Sequence, residues 1–236
     1  MRVIGIQRVG ERATIDIDGC NLSCDFCAYK GSEPRQMDII DVLSEVADPE
    51  IAIVRLGGME PTLDADSLMD ILERLSRMGK RVELKTNGCS PSTLTGTMGL
   101  VERYILEFNY PLDDPVGCSR SAGISIEEAE VYLDSVRESL VLLKDQHVTL
   151  WIRTIPGGMA QDDYDHLGGE MGGYVEEVVL QQYLSDTNVD SPIDGHDEPS
   201  PDESEMVNIG RSLLGSVSRV RILGRGFIND FRSSKG

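Results

Sequence analysis

Apolar residues recur along this chain with two different periods. In some segments, such as residues 12–18, apolar and polar residues alternate one by one, and a period of two is typical of a β-strand with one buried face. In others, such as residues 67–78, Leu68, Ile71 and Leu75 fall three or four positions apart on one side of a helix. The two kinds of segment follow each other in turn, which indicates a parallel sheet covered by helices.

The pattern predicts seven strands and five helices. The strands are expected at residues 12–18, 51–56, 81–85, 104–109, 147–154, 175–183 and 218–223. The helices are expected at residues 37–47, 67–78, 90–99, 126–144 and 202–214. Ser125 and Glu128 have the spacing of a capping box at the start of the fourth helix. A chain of 236 residues with 40% apolar composition suits a single α/β domain over residues 1–236.

One stretch does not fit this alternation. Residues 185–204 are rich in Asp, Glu, Pro and Ser, a composition that favours a solvated loop. A lid or a docking loop is the functional alternative. We therefore expect an acidic loop between the sixth strand and the last helix.

The composition is strongly acidic. With 41 Asp and Glu against 22 Lys and Arg, the formal net charge is −19, which disfavours binding to nucleic acid and to acidic membrane surfaces. The acidity indicates high solubility or adaptation to a salty cytoplasm. The sequence has no apolar run of the roughly eighteen residues that a bilayer span needs, and no basic segment precedes such a run at the amino terminus. We therefore expect a soluble cytoplasmic protein with no membrane partner.

Three of the five cysteines lie within eight positions of one another. Cys20, Cys24 and Cys27 have the spacing C-x3-C-x2-C and directly follow the first predicted strand. An odd cluster in a reducing cytosol is a poor candidate for disulfides. Iron–sulfur and zinc both stay open, although structural zinc usually takes four ligands, whereas three thiolates leave one iron of a cubane free. Cys89 and Cys118 are too isolated to hold a second cluster and are interpreted as ordinary thiols.

The cysteine spacing, with Phe26 before the last cysteine, resembles the signature of the radical S-adenosylmethionine (SAM) superfamily. The resemblance implies that Cys20, Cys24 and Cys27 hold a 4Fe-4S cluster whose open iron is chelated by the amino and carboxylate groups of SAM. Phe26 is then expected near the adenine. The resemblance also implies that the reduced cluster cleaves SAM to methionine and a 5'-deoxyadenosyl radical, which abstracts hydrogen from a substrate.

A second segment, residues 54–63, is similar to the Gly-Gly-Glu-Pro-Thr-Leu stretch of that family. Met59 is interpreted as replacing the second glycine, which keeps Gly58 and Glu60 in register. Gly58 permits close approach of the backbone to a ligand. Glu60 is expected to accept hydrogen bonds from the ammonium group of SAM.

A third segment, residues 83–88, resembles the Thr-Asn-Gly sequence that ends the third strand of activating-enzyme members. The resemblance therefore assigns Thr86 and Asn87 to the SAM site. The predicted elements resemble the partial (β/α)6 barrel, a TIM-like α/β fold, of small radical SAM enzymes. In such a barrel the catalytic groups lie on loops at the carboxyl ends of the strands, which is where the cysteines and these segments fall.

Polar residues near the ends of other strands are additional candidates. Asn109 shares one strand face with Glu107 and is the expected SAM contact of the two. Arg153 is either a two-pronged partner of the SAM carboxylate or an ordinary salt-bridge residue. Lys85 either faces the barrel or points to the helix layer.

The compact layout, the three motifs and residues 151–157 together resemble the activating enzymes of glycyl-radical proteins, especially the anaerobic ribonucleotide reductase activating type. That resemblance implies a glycyl-radical protein as the partner, whose backbone glycine loses a hydrogen atom, and an electron donor such as flavodoxin or ferredoxin. Two alternatives stay open. One is a small-molecule enzyme similar to the 7-carboxy-7-deazaguanine synthases, and the other is a non-enzymatic module that binds iron–sulfur or zinc.

Overall fold

The computed structural model describes residues 1–184 and 200–233, which form one ten-stranded sheet and seven α-helices. The strands are β1 Arg2–Val9, β2 Arg12–Ile17, β3 Arg35–Gln36, β4 Ile53–Gly58, β5 Arg81–Thr86, β6 Arg103–Glu107, β7 Val148–Thr154, β8 Glu177–Gln182, β9 Arg219–Gly224 and β10 Phe227–Arg232. The helices are α1 Ile39–Glu45, α2 Ala65–Arg77, α3 Pro91–Thr97, α4 Pro115–Ala122, α5 Ile126–Leu142, α6 Gln161–Met171 and α7 Glu203–Leu213. A 3-10 turn, Pro61–Leu63, lies between β4 and α2.

Seven neighbouring strands run parallel, in the order β2, β4, β5, β6, β7, β8 and β9 across the sheet. Antiparallel β10 extends one edge, and β1 with β3 extends the other. Parallel strands that follow the chain order and are joined by helices give a partial TIM-like barrel. The predicted fold class, a partial (β/α)6 barrel, is confirmed.

Side chains of the parallel strands alternate between two faces. Leu56, Leu84 and Leu106 are fully buried and belong to one apolar core with Leu72 of α2 and Leu133 of α5. Their neighbours in sequence point to the opposite, inner face, because strand side chains alternate. These inner residues are charged or aromatic and include Arg55, Lys85, Glu107, Trp151 and Arg153. The main apolar core therefore lies between sheet and helices, whereas the barrel interior is polar.

Helix α5 begins where the sequence predicts. The Ser125 hydroxyl accepts a hydrogen bond from the Glu128 nitrogen at 3.2 Å, and the Glu128 carboxylate accepts one from the Ser125 nitrogen at 2.8 Å. This reciprocal pair confirms the predicted capping box. Ala129 and Val136 are fully buried on the face that contacts α3 and α4. The helix is thus held at its start by the cap and along its length by packing.

All seven predicted strands are present, as β2 and β4 to β9, with ends that differ by at most two residues. The five predicted helices are α1, α2, α3, α5 and α7. The pattern did not predict β1, β3, β10, α4 or α6. Strand β1 buries only Val3 and β10 buries no residue, so neither shows a clear apolar face. Helices α4 and α6 contain glycines and many small or polar residues, which weakens the helical periodicity.

Two expectations concern the remainder of the chain. Most of the predicted acidic loop, residues 185–199, lies outside the described residues. Its end leads into α7, which Asp202 caps by accepting a hydrogen bond from the Glu205 nitrogen at 2.9 Å. Within residues 1–184 and 200–233, every helix is too short or too polar to cross a bilayer.

Candidate active site

The cysteine loop leaves the carboxyl end of β2. Cys20 is exposed, whereas Cys24 and Cys27 are half-buried, and all five cysteines of the chain are free thiols. Backbone hydrogen bonds hold the loop in place, because the Ser23 nitrogen donates to the Ala122 carbonyl at the end of α4 at 2.8 Å. The Cys27 nitrogen also donates to the Cys24 carbonyl at 3.2 Å. The loop is therefore anchored to a neighbouring helix as well as to its own strand.

Two thiols of this loop, those of Cys20 and Cys24, have raised pKa values. Although part of Cys20 is exposed, the protein atoms around its sulfur displace water, and this desolvation, with added repulsion from Glu60 and Cys27, raises the pKa of Cys20 to about 11. Burial and the neighbouring Cys20 and Cys27 sulfurs also raise the pKa of Cys24. A metal centre offsets the repulsion between closely spaced thiolates and displaces their protons. The thiols of Cys20, Cys24 and Cys27 line one pocket, and soft thiolates suit iron and other soft metals.

One pocket brings most of the candidate residues together. Its volume, including the solvent at its open mouth, is about 660 Å³. Nine of the ten residues that the sequence assigned to cofactors line it, namely Cys20, Cys24, Phe26, Cys27, Gly58, Thr86, Asn87, Asn109 and Arg153. Glu60 is the exception. The pocket lies at the carboxyl ends of the parallel strands, which is the face that carries the active site in TIM-like barrels.

Gly58 marks the closest approach of β4 to β2. Its φ is +91°, and a Cβ atom there would lie 2.5 Å from the Ile17 nitrogen, so a side chain does not fit. The next two residues continue the contact, because the Met59 nitrogen donates to the Ile17 carbonyl at 2.9 Å and the Glu60 nitrogen donates to the Gly19 carbonyl at 2.8 Å. The Met59 thioether accepts a hydrogen bond from the Gly19 nitrogen at 3.3 Å. Met59 thereby ties the start of the cysteine loop to the end of β4.

The Glu60 carboxylate is buried behind the pocket wall, and 1% of the residue is exposed. It accepts hydrogen bonds from the Thr62 nitrogen at 3.1 Å and the Thr62 hydroxyl at 2.5 Å. It also accepts from the Thr86 hydroxyl at 2.7 Å and the Asn87 nitrogen at 2.6 Å. Burial raises the pKa of Glu60, and these donors oppose that effect. The sequence led us to expect a contact with the SAM ammonium group, but both carboxylate oxygens face donors of the protein itself.

Arg153 lies in the pocket beside Phe26. Its guanidinium carbon is 5.9 Å from the Phe26 ring centroid, and one terminal nitrogen donates to the Phe26 carbonyl at 3.3 Å. The other terminal nitrogen pairs with Glu107 at 3.2 Å, and the Arg153 backbone nitrogen donates to the Asn109 side chain at 2.6 Å. Among the described residues, nothing accepts a hydrogen bond from the buried Arg153 Nε. Arg153 is therefore a salt-bridge residue whose buried Nε is left without an acceptor among the described residues.

Charged side chains pair across the barrel interior next to this pocket. Lys85 pairs with Glu107, and its ammonium lies 5.3 Å from the Trp151 ring centroid, so Lys85 faces the barrel. The Tyr29 hydroxyl donates to the Asp16 carboxylate at 2.9 Å. The sequence pattern did not assign Tyr29 or Asp16 to the site. The sequence could have indicated Asp16, because a carboxylate on the inner face of a central strand needs a hydrogen-bonding or charged partner.

A second cavity of about 600 Å³ adjoins the first and shares Phe26, Asn109 and Arg153 with it. Helix α4 and the loop after β7 build its other walls, which include Ser121 and Gly157. In the part of the chain that the structure describes, the buried Ser121 hydroxyl oxygen has no hydrogen-bond partner. Because α4 was not predicted, the sequence pattern did not reveal this wall.

The other described cysteines and histidines lie outside the pocket that the cysteine loop lines. Cys118 is fully buried in the apolar core, and Cys89 is half-buried outside the pocket lining. His147 and His166 each pair with a carboxylate at the surface. His196 lies outside the described residues.

The fold and the pocket together define a TIM-like barrel with a loop of three cysteines at the carboxyl ends of its strands. Residues 14–108 match the family model described as the radical SAM superfamily. Residues 14–108 therefore form a radical SAM domain. A domain of this kind implies a 4Fe-4S cluster and SAM as cofactors.

Relatives with different activities match the chain. A 7-carboxy-7-deazaguanine synthase of Hyperthermus butylicus is 33% identical over 82 residues, which are 33% of this chain and 35% of the synthase. A protein of Methanocaldococcus jannaschii, provisionally assigned as a glycyl-radical enzyme activating enzyme, is 22% identical over 225 residues, which are 89% of this chain and 88% of that protein. The chain thus spans about a third of the first relative and most of the second.

Solved structures agree on the fold. A radical SAM methyltransferase of Sphaerobacter thermophilus superposes with a TM-score of 0.68 at 15% identity, and the match covers 94% of this chain and 69% of that one. At this identity the likeness extends to the fold alone. It confirms the partial barrel of the radical SAM type.

Proposed function

We propose that Cys20, Cys24 and Cys27 hold the 4Fe-4S cluster of this enzyme and that the adjoining pocket binds SAM. The cluster and SAM together supply a 5'-deoxyadenosyl radical that abstracts hydrogen from a substrate. The observation that carries the proposal is the convergence of three free thiols with Asn87 and Arg153 on one pocket. A purely structural zinc site usually has four protein ligands and is closed. It therefore does not require a cavity beside the ligands.

Individual residues of the pocket have distinct proposed roles toward SAM. The Arg153 Nε, which lacks an acceptor among the described residues, can donate to the SAM carboxylate in a charge-assisted hydrogen bond. Phe26 offers an apolar ring for the adenine. Gly58 lets the β4 backbone approach the amino end of SAM, because it has no side chain. Thr86 and Asn109 complete the walls on either side.

The substrate that we propose is a glycyl-radical protein, whose backbone glycine would lose a hydrogen atom. Support comes from the M. jannaschii relative, because its match extends over 88% of that protein. The proposed electron donor is a flavodoxin or a ferredoxin. Five free thiols suit the reducing cytoplasm in which such donors operate.

A small-molecule reaction like that of the 7-carboxy-7-deazaguanine synthases is the second candidate. The H. butylicus relative supports it with 33% identity over 82 residues. The barrel interior also supports it, because Lys85, Glu107 and Trp151 offer charge and an aromatic face next to the pocket. Such groups suit a polar ring that enters the barrel.

Anaerobic reconstitution with iron and sulfide tests the proposed cluster ligands. The unaltered protein should bind about four irons per chain and give the electron paramagnetic resonance spectrum of a reduced 4Fe-4S cluster. Replacing Cys20, Cys24 or Cys27 by Ala should abolish both. Cys118→Ala is the matched control, because this thiol is buried away from the pocket. Zinc in place of iron, or full iron content in the Cys24→Ala variant, would refute the assignment.

The two candidate substrates predict different products. A glycyl-radical protein incubated with the reduced enzyme and SAM should acquire the paramagnetic signal of a glycyl radical. The small-molecule alternative predicts turnover of a pterin-like compound in the absence of a partner protein. A glycyl signal without pterin turnover would support the first candidate, and the reverse result would support the second.

A further inference from the structure

Glu60 joins the ends of two neighbouring strands. Its Oε1 atom accepts hydrogen bonds from Thr62 and Thr86, and its Oε2 atom accepts the bond from the Asn87 nitrogen. Each oxygen of an ionised carboxylate has about two lone-pair sites, so three donors saturate Oε1, whereas Oε2 accepts one bond and is enclosed by the protein. With 1% of the residue exposed, the carboxylate has little capacity left for the ammonium group of a ligand.

Asn87 is held at each of its polar atoms. Its backbone nitrogen donates to the Glu60 carboxylate, and its backbone carbonyl accepts a hydrogen bond from the Tyr132 hydroxyl of α5 at 2.8 Å. Its side-chain oxygen accepts from the Cys89 nitrogen at 3.0 Å, and its side-chain nitrogen donates to the Asn21 side chain at 2.8 Å. The side-chain amide of Asn87 is therefore oriented by Cys89 and Asn21, and the Glu60 carboxylate holds the backbone that carries this amide.

The fixed amide reaches the cysteine loop. The Asn87 side-chain nitrogen lies 3.9 Å from the Cys20 sulfur, within hydrogen-bonding range for sulfur, and Asn21 adjoins Cys20 in the chain. Hydrogen bonds to ligating sulfurs help to set the reduction potential of iron–sulfur clusters. Groups that orient such donors are part of the function of a metal site although they do not touch the metal.

We propose that Glu60 is a positioning residue rather than a ligand of SAM: it holds Asn87 so that the Asn87 amide contacts the Cys20 sulfur. The inference rests on the proposed function, in which Cys20 is a cluster ligand. Loss of either residue therefore acts on the same contact. Glu60 and Asn87 should influence the potential of the cluster in the same direction, toward more negative values when the donor is lost.

Glu60→Gln is a selective variant for this contact. The Gln amide oxygen can keep the bonds from Thr62 and Thr86, which places the amide nitrogen opposite the Asn87 nitrogen, donor against donor. Asn87→Ala removes the donor to Cys20 itself. Glu177→Gln is the matched control, because Glu177 is 7% exposed and pairs with Arg221 at the amino end of β8, far along the strands from the pocket.

The test compares the unaltered protein with Glu60→Gln, Asn87→Ala, the double variant and the control. Iron content, the midpoint potential of the cluster and the dissociation constant for SAM are measured on each reconstituted protein. Both single variants should shift the potential to more negative values and lower the affinity for iron about tenfold, the scale seen for groups that support metal ligands. Any loss of SAM affinity should be the same in the two variants. The double variant should be no worse than Asn87→Ala. The control should match the unaltered protein.

Additive losses would overturn the inference, because a direct bond from Glu60 to SAM predicts that Glu60→Gln weakens SAM binding equally with and without Asn87. If Glu60→Gln does not fold, a crystal structure of the unaltered protein with SAM decides. The Glu60 carboxylate should remain bonded to Thr62, Thr86 and Asn87, and a bond to the SAM amino group would contradict the proposal. Failure of the unaltered protein to bind iron would instead refute the proposed function, and not only the role of Glu60.

Discussion

At the scale of single residues, the adjacent glycines Gly57 and Gly58 differ in how strictly the backbone requires glycine at their positions. Gly58 has a φ of +91°, and its missing Cβ would lie 2.5 Å from the Ile17 nitrogen. The backbone of Gly57 has no positive φ, and its missing Cβ would lie 3.3 Å from the Lys85 Cβ atom. Backbone geometry therefore requires glycine at Gly58, whereas Gly57 needs only a small adjustment of a neighbouring side chain.

Gly58→Ala should lower the free energy of unfolding by about 2 kcal/mol or more, because backbone strain adds to the clash with β2. Gly57→Ala should cost clearly less. Urea unfolding of the two variants provides the comparison. If Gly57→Ala were the more destabilising of the two, this result would contradict the close approach of β4 to β2 at Gly58.

The residues of the candidate site could be predicted from short motifs, but their contacts could not. Glu60 and Asn87 both stood out in the sequence, each as part of a separate motif. The hydrogen bond between them depends on the pairing of β4 with β5, which no local pattern encodes. The same holds for Tyr29 and Asp16, which meet only when the cysteine loop folds over β2.

At the scale of elements, charges inside the barrel join three neighbouring strands. Glu107 of β6 pairs with Lys85 of β5 and with Arg153 of β7. Burial alone would raise the pKa of Glu107, but the two cations bring it below its usual value. The charged form of Glu107 is therefore stabilised by the fold, and it holds the strand ends that line the pocket.

Glu107→Gln should lower the free energy of unfolding at neutral pH by about 3 kcal/mol, because it leaves two mostly buried cations without their anion. A carboxyl with a lowered pKa contributes stability above its unfolded pKa and loses it as the pH falls through the folded pKa. The difference between the unaltered protein and the variant should therefore shrink below about pH 4. Denaturant unfolding between neutral and acidic pH measures it. A difference that stays constant over this range would rule out the charge as its cause.

Elements with a strong burial pattern were predictable, and elements stabilised mainly by tertiary contacts were not. The central parallel strands carry fully buried residues such as Leu56 and Leu84, so their apolar signal is clear. Helix α4 buries Gly117, Cys118 and Ala122, all of which are small, and its packing on α5 is visible only in the fold. The wall that α4 gives to the second cavity therefore could not be anticipated.

At the scale of the whole molecule, the excess of acidic residues is the dominant property. A net charge of −19 produces repulsion over the surface, and this repulsion weakens the compact state. Dissolved salt screens such repulsion over distances of about 10 Å at 0.1 M. The barrel should therefore gain stability with ionic strength.

Raising KCl from about 0.1 M to about 1 M should increase the melting temperature, because screening acts on the excess of carboxylates. Thermal unfolding followed by circular dichroism measures this shift. The same salt step near pH 4 is the control, and its effect should be smaller because part of the carboxylates are protonated. A melting temperature that falls with KCl at neutral pH would contradict the expected role of the surface charge.

The measurement that bears most directly on the whole molecule is the reductive cleavage of SAM. The reconstituted protein, with about four irons per chain, is incubated without oxygen with dithionite and SAM, and 5'-deoxyadenosine is quantified by chromatography. We predict 5'-deoxyadenosine and methionine in equal amounts, with none from the Cys20→Ala, Cys24→Ala or Cys27→Ala variants. A protein that carries its full complement of iron, binds SAM and forms no 5'-deoxyadenosine would contradict the proposed function.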